Sequence, residues 1–240
     1  MVRTYGQERF SREEWVKEYL RRIFTIQVEK GSVTPGDLSE RIGRSHGRCF
    51  NVLSRLERRG LVRRVGEKRF IGRGGKGKLR GSTPTRYVLT DKGRNKLTVV
   101  LTGGVFDILH IGHLATLNEA SRLGDILIVI IARNETVQKL KGREPINDEK
   151  IRLYLVNSLK PVDLAILGDK EDPYEVINHI KPDIIALGYD QKHNEGKIRS
   201  KLKQMGLTTK VIRLTVKVPH VKTSDIISEI QRSNYDIDYT

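Results

Sequence analysis

Val100-Leu-Thr-Gly-Gly-Val-Phe-Asp-Ile-Leu-His-Ile-Gly-His113 is the stretch that decides the fold of the second half of this chain. The aliphatic and β-branched run over 97–102 predicts a strand. Gly103 and Gly104 then predict a tight turn, and an apolar helical pattern opens near Ile111. Between turn and helix lie Asp107 and two histidines, His110 and His113, on either side of Gly112. Strand, glycine turn and helix N-terminus together make a phosphate site. The free N–H groups of a first helical turn and its positive dipole end favour an anion.

Outward from this stretch, towards the C-terminus, strand and helix alternate. Strand-like runs fall at 98–102, 126–132, 162–167, 183–187 and 210–214, and helical patterns at 111–123, 148–159, 173–180, 195–205 and 224–232. These strands lack polar alternation, which predicts a parallel sheet covered on both faces. A ligand is then expected at the carboxyl ends of the strands, beside the first glycine turn.

Charge divides the chain at the same place. Of the net +16, residues 1–97 hold 25 Lys and Arg against 10 Asp and Glu, and residues 98–240 hold 20 against 19. A polyanion-binding module would concentrate charge in this way. The single cysteine, Cys49, excludes an intrachain disulfide framework and a Cys-based zinc cluster, and points to a reducing, cytoplasmic setting. The longest apolar run, 126–132, is too short to span a membrane, and no signal-peptide core opens the chain, so no membrane role is expected.

Within the basic half, Trp15, Tyr19, Ile23 and Ile26 recur at helical spacing. Thr34-Pro-Gly-Asp37 combines an N-cap, a proline at the first helical position and an acid at the third. Ser45 is placed to cap a third helix reaching about Arg59, with Cys49, Val52, Leu53 and Leu56 as its buried stripe. Another face of that helix is expected to carry Arg44, Arg48, Asn51 and Arg55. Two strand-like segments follow, separated by a Gly, Lys and Arg stretch that holds Arg73, Lys76, Lys78 and Arg80. Three helices and a hairpin with a basic tip resemble a winged helix-turn-helix domain. The resemblance implies that Arg48, Asn51 and Arg55, with Arg44, meet double-stranded DNA, while the tip residues hold its backbone. Operators with two half-sites predict a homodimer. The competing reading is a solvated face on a domain that mediates protein contacts.

The run Gly103-Gly-Val-Phe-Asp-Ile-Leu-His-Ile-Gly-His113 resembles the nucleotidyltransferase superfamily that carries the HxGH signature, in its cytidylyltransferase-like branch. The fold implied is α/β: a Rossmann-like parallel sheet over residues 98–240, preceded by a smaller α+β winged helix over 1–97. The resemblance implies that His110 and His113 donate to the phosphates of a nucleoside triphosphate. Gly103, Gly104, Val105 and Phe106 form the nucleotide turn, and Asp107 lies beside the acceptor or metal. Two histidines alone make a poor metal site, with no third His or Cys near them in the sequence, so Mg²⁺ is expected only on the triphosphate. Thr223 and Ser224 match the family's second phosphate motif. Two positions depart from the pattern: Val105 stands where many members have Thr, and Ile227 stands where a basic residue usually ends that motif.

Three segments, 131–145, 159–168 and 181–191, are similar to archaeal FAD synthases. That likeness implies transfer of AMP from ATP to FMN, giving FAD and pyrophosphate. Lys139, Lys141 and Arg143 would form a basic loop over the phosphates, with Lys141 catalytic and Lys139, Arg143 and Arg152 towards the acceptor. Gly188 and Asp190 would meet the nucleotide, Asp190 at a ribose hydroxyl. Two alternatives stay open: a CTP-dependent enzyme acting on a glycerol or inositol phosphate, and a transcription regulator that uses a catalytically weak transferase fold as a ligand sensor.

Overall fold

The computed structural model describes residues 11–66, 84–191, 193–218 and 222–233. The chain forms two compact units, Met1–Leu97 and Thr98–Thr240.

The first unit contains helices α1 (Arg12–Lys30), α2 (Pro35–Ile42) and α3 (His46–Arg58), strands β1 (Val62–Val65) and β2 (Arg86–Leu89), and a short α4 (Asp91–Arg94). The strands pair antiparallel, from Val62 opposite Leu89 to Val65 opposite Arg86. Val33, between α1 and α2, adds a single bridge to Tyr87, giving the small sheet of a winged helix its third element. The Thr34 start is a reciprocal capping box with Asp37. Ser45 occupies the N-cap of α3, but its hydroxyl accepts no capping bond. The buried stripe of α1 runs through Val16, Leu20, Ile23, Phe24 and Ile26. Trp15 and Tyr19 sit at its margin, half-buried, with ring centroids 4.6 Å apart. Gly93 explains the glycine of α4: a Cβ there would lie 2.1 Å from the Leu61 carbonyl oxygen.

The second unit runs β3 (Val99–Gly104), α5 (Ile111–Ser121), β4 (Ile126–Ile131), α6 (Asn134–Lys141), α7 (Glu149–Asn157) and β5 (Leu164–Leu167). It continues with α8 (Pro173–Ile180), β6 (Ile184–Leu187), α9 (Glu195–Gln204), β7 (Lys210–Arg213) and α10 (Thr223–Arg232). The five strands are parallel, in the order β5-β4-β3-β6-β7. Val100, Leu127, Val129, Ile131 and Ala186 from the strands pack with Leu117 and Ala120 of α5 and Val156 of α7. The alternation read from the sequence holds, with one element added. Helix α6 fills what reads as a basic loop, ending on an αL cap at Gly142.

Three aspartates pin the register at the amino ends of the strands. Asp125 accepts from the Thr98 N–H at 2.8 Å, Asp183 from the Val99 N–H at 2.7 Å, and Asp163 from the Leu127 N–H at 2.9 Å. Each supplies an acceptor to a donor that the ladder has not yet reached. At the other end, β3 lies between β4 and β6, where the strand order reverses. The crevice of such a sheet opens there, beyond the carboxyl ends of the strands.

Candidate active site

The crevice is built first from the turn after β3. A Cβ on Gly104 would lie 2.9 Å from the Phe106 ring, and one on Gly103 would lie 3.3 Å from the Ile130 carbonyl oxygen. Phe106 itself adopts a φ of 53°, a left-handed conformation that costs a non-glycine residue roughly 1–2 kcal/mol. Its ring is buried under His113, centroid to centroid 5.1 Å. The strained turn therefore supports the histidine from below, and Phe106 lies beneath the site rather than on its surface.

His110 is the N-cap of α5 and makes no side-chain capping bond. Its ring stacks on that of His113 with centroids 3.9 Å apart and planes 25° apart. The Nδ1 atoms of both rings are buried and have no hydrogen-bond partner among the described residues. Buried polar atoms are ordinarily satisfied, so these two ring nitrogens are exceptions among the described residues. Burial pushes His113 down to about 4, helped by the neighbouring His110 and by the Lys141 ammonium, with Asp190 opposing. Burial also lowers His110, against the charges of Asp190 and Asp225. Two neutral imidazoles thus stand at a helix N-terminus, within the field of Asp190, Asp225 and Lys141.

Behind this pair lies a polar network that sequence reasoning recovered only in part. Asp107, 2 % exposed, accepts from the Asn147 backbone N–H at 2.9 Å and from Arg143 Nη1 at 3.3 Å. Its carbonyl accepts from Asn147 Nδ2 at 2.6 Å. Arg152 is fully buried, and its guanidinium donates to the carbonyls of Asn147 and Val105 and to Asn134 Oδ1, at 2.7–2.9 Å. Asp107 and Arg152 therefore bolt the glycine turn to the segment between α6 and α7. The structure places Arg152 inside the protein, behind the crevice, with Arg143 the more exposed of the two.

Lys139 and Lys141 lie in the last turn of α6 rather than in a loop. Two residues apart on a helix, they point to different sides, and Lys141 is the one whose charge reaches His113. Gly188 and Asp190 lie just past the end of β6, Gly188 buried and Asp190 exposed. Thr223 opens α10, with no side-chain cap from Lys222, and Ser224 Oγ bonds Asp225 Oδ1 at 3.2 Å. Asp225, in the first turn of α10, is one of the two carboxylates whose charge opposes the lowering at His110. Val105 and Ile227 are both half-buried.

In the first unit, Arg48, Asn51 and Arg55 are exposed on α3. Arg44 falls in the turn before α3 rather than on its face, since the helix begins at His46. Arg73, Lys76, Lys78 and Arg80 lie outside the described residues.

A family model described as Cytidylyltransferase-like matches residues 101–229, the span that contains every element of this crevice. The chain belongs to the cytidylyltransferase-like family. Within that family, it is 51% identical over 115 residues to the FAD synthase of Aciduliprofundum boonei, covering 48% of this chain and 76% of the relative. The FAD synthase of Pyrococcus abyssi is 45% identical over 57% of this chain and 94% of its own length. A solved structure, the lipopolysaccharide core biosynthesis protein from Thermoplasma volcanium, is 45% identical with a TM-score of 0.49, over 51% of this chain and 99% of that one. A second model, Sugar-specific transcriptional regulator TrmB, matches residues 17–92 and accounts for the winged helix ahead of the cytidylyltransferase-like unit.

Proposed function

We propose that residues 98–240 transfer AMP from ATP to FMN, releasing pyrophosphate and forming FAD, and that residues 1–97 bind double-stranded DNA. The stacked His110–His113 pair at the start of α5 is the observation that carries the first half. The FAD synthase relatives support the choice of substrates.

The chemistry needs little beyond placement and charge. An oxygen of the FMN phosphate attacks the α-phosphorus of ATP in line, the bond to the β-phosphate bridging oxygen breaks, and pyrophosphate leaves with that electron pair. A phosphate nucleophile is already anionic at neutral pH, so no residue must remove a proton. His110 and His113 then serve as N–H donors to oxygens on which charge accumulates, together with the free amides of the first turn of α5. Gly103 and Gly104 let the phosphates approach the backbone. Lys141 and Arg143 would offset charge from the α6 side, and Thr223 and Ser224 from the start of α10. Asp190 would take a ribose hydroxyl. Lys139 remains an outer contact for the acceptor.

Among the described residues no group of three or more His, Cys, Asp or Glu side chains is arranged to hold a metal. A Mg²⁺ that arrives on the triphosphate commonly takes one carboxylate beside the phosphate oxygens, and exposed Asp225, whose charge reaches His110, would supply it. When bound, the ion would neutralise charge on the triphosphate.

For the first unit, exposed Arg48, Asn51 and Arg55 on α3, beside Arg44, support reading of a duplex groove. The single cysteine supports a reducing, cytoplasmic setting. A homodimer would match two half-sites, which light scattering of the DNA-bound chain would show. The deciding experiment is a matrix of ATP and CTP against FMN and glycerol phosphate, read as pyrophosphate and as FAD. FAD from ATP and FMN is the expected result. Turnover with CTP and glycerol phosphate alone would replace the substrates, and no turnover with any pair would favour a ligand sensor.

A further inference from the structure

Arg213, the last residue of β7, reaches across to the segment that follows β6. Its Nη1 donates to the carbonyl oxygens of Gly188 and Gln191, both at 2.9 Å. Its Nη2 donates to the His193 carbonyl and its Nε to Glu195 Oε1, again at 2.9 Å. Three carbonyls from one short segment thus converge on a single planar group. A guanidinium presents its donors in a fixed fork, so those carbonyls are held in one arrangement, which a lysine ammonium cannot reproduce.

Gln191 ties the same segment from the other side. Its Oε1 accepts from the Gly188 N–H at 3.0 Å, and its Nε2 donates to the Gly103 carbonyl at 2.8 Å. The segment after β6 is thereby joined to the first glycine of the catalytic turn. Between these two ties stands Asp190, exposed, its charge reaching both His110 and His113. Past Leu187 the ladder no longer orders the backbone. Without Arg213 the segment would keep only the Gln191 ties, and the rest would have to be ordered on binding.

We propose that Arg213 is a positioning residue for nucleotide binding, holding the segment after β6 so that Asp190 is presented to the ribose. This rests on the transferase reading and deepens it. Arg213 touches no substrate; it acts through Asp190.

The test uses the full chain as wild type, Arg213→Lys, Arg213→Gln, Asp190→Asn and the double variant Arg213→Gln/Asp190→Asn. Calorimetry measures ATP affinity, and steady-state assays give KM and kcat for ATP and KM for FMN. Arg213→Gln should weaken ATP binding and raise its KM about tenfold, on the scale of one net hydrogen bond, with kcat little changed. Arg213→Lys should fall between, and KM for FMN should not move. Added to Asp190→Asn, the Arg213→Gln change should have little further effect, because both act through one contact. Unchanged ATP affinity in Arg213→Gln, or effects of the two changes that multiply, would overturn the proposal. Should Arg213→Gln not fold, Arg213→Lys decides by the same measurements. A wild type that binds ATP but makes no FAD would defeat the substrate assignment, while the calorimetry still decides Arg213.

Discussion

Replacing Arg152 by methionine keeps much of its length and removes the bolt between the glycine turn and the α6–α7 segment. Three acceptors lose their donor at once: the carbonyls of Val105 and Asn147, and Asn134 Oδ1. Hydrogen bonds to a charged group contribute about 1.5–3 kcal/mol each. The gross loss is offset by no longer desolvating a buried cation, and breaking a buried charged cluster by removing one member leaves a net cost of about 3–5 kcal/mol. For a unit of this size, 1 kcal/mol moves the melting temperature by about 2–4 °C, so a fall on the order of 10–15 °C is expected. Far-UV circular dichroism of the full chain follows it, since the one tryptophan, Trp15, lies in the other unit. Arg152→Lys should not rescue, because a single ammonium cannot span three acceptors. A melting temperature close to wild type, together with a large rise in KM for the acceptor, would refute the reasoning. It would mean that the guanidinium contacts substrate rather than the turn.

Acid should destabilise the second unit through His113. Its folded pKa of about 4 lies below the ordinary 6.5, so the unfolded chain binds more protons between those values. Stability is therefore present above pH 6.5 and is lost as pH falls towards 4, by about 3 kcal/mol from this residue. Urea unfolding at a series of pH values should show His113→Gln losing correspondingly less, and equal losses in both proteins would contradict it. Gly93→Ala should lower the stability of the first unit by about 1–3 kcal/mol, because its Cβ would strike the Leu61 carbonyl. Trp15 fluorescence reports that transition, and an unchanged midpoint would show that the contact relaxes at no cost. Duplex affinity should fall steeply with salt, as each neutralised phosphate releases counterions. Arg48→Ala, which removes a groove-reading side chain, should cost about 1–3 kcal/mol of affinity for a preferred duplex and relax its sequence preference. Unaltered affinity and sequence preference would remove Arg48 from the interface.

Much of this molecule is local and could be read from the chain alone. The apolar runs define strands because a parallel strand buries both faces, and Thr34, Pro35 and Asp37 mark a helix start because capping acts within four residues. The glycine turn and the two histidines were legible for the same reason: they occupy one contiguous stretch. Helix α6 was not, since Val137 is its one buried residue and its basic composition reads equally as a loop. Arg44 reads as part of the α3 face by spacing alone, whereas the helix starts two residues later.

The tertiary structure decided which residues meet across long separations. Charge and residue type place Arg143 and Arg152 together as candidates. Only the packed chain shows one near the surface and the other wholly buried, because which side of α7 faces inward depends on the sheet beneath it. Gln191 on Gly103, Arg213 on Gly188 and Asp107 on Asn147 are contacts between residues 88, 25 and 40 positions apart. No pattern along the sequence encodes them, because they depend on which strands lie side by side and on how the α6–α7 segment returns over the glycine turn. By itself, the sequence determined the two units, the glycine turn and its histidines. Folding decided how that turn is strained, buried and braced.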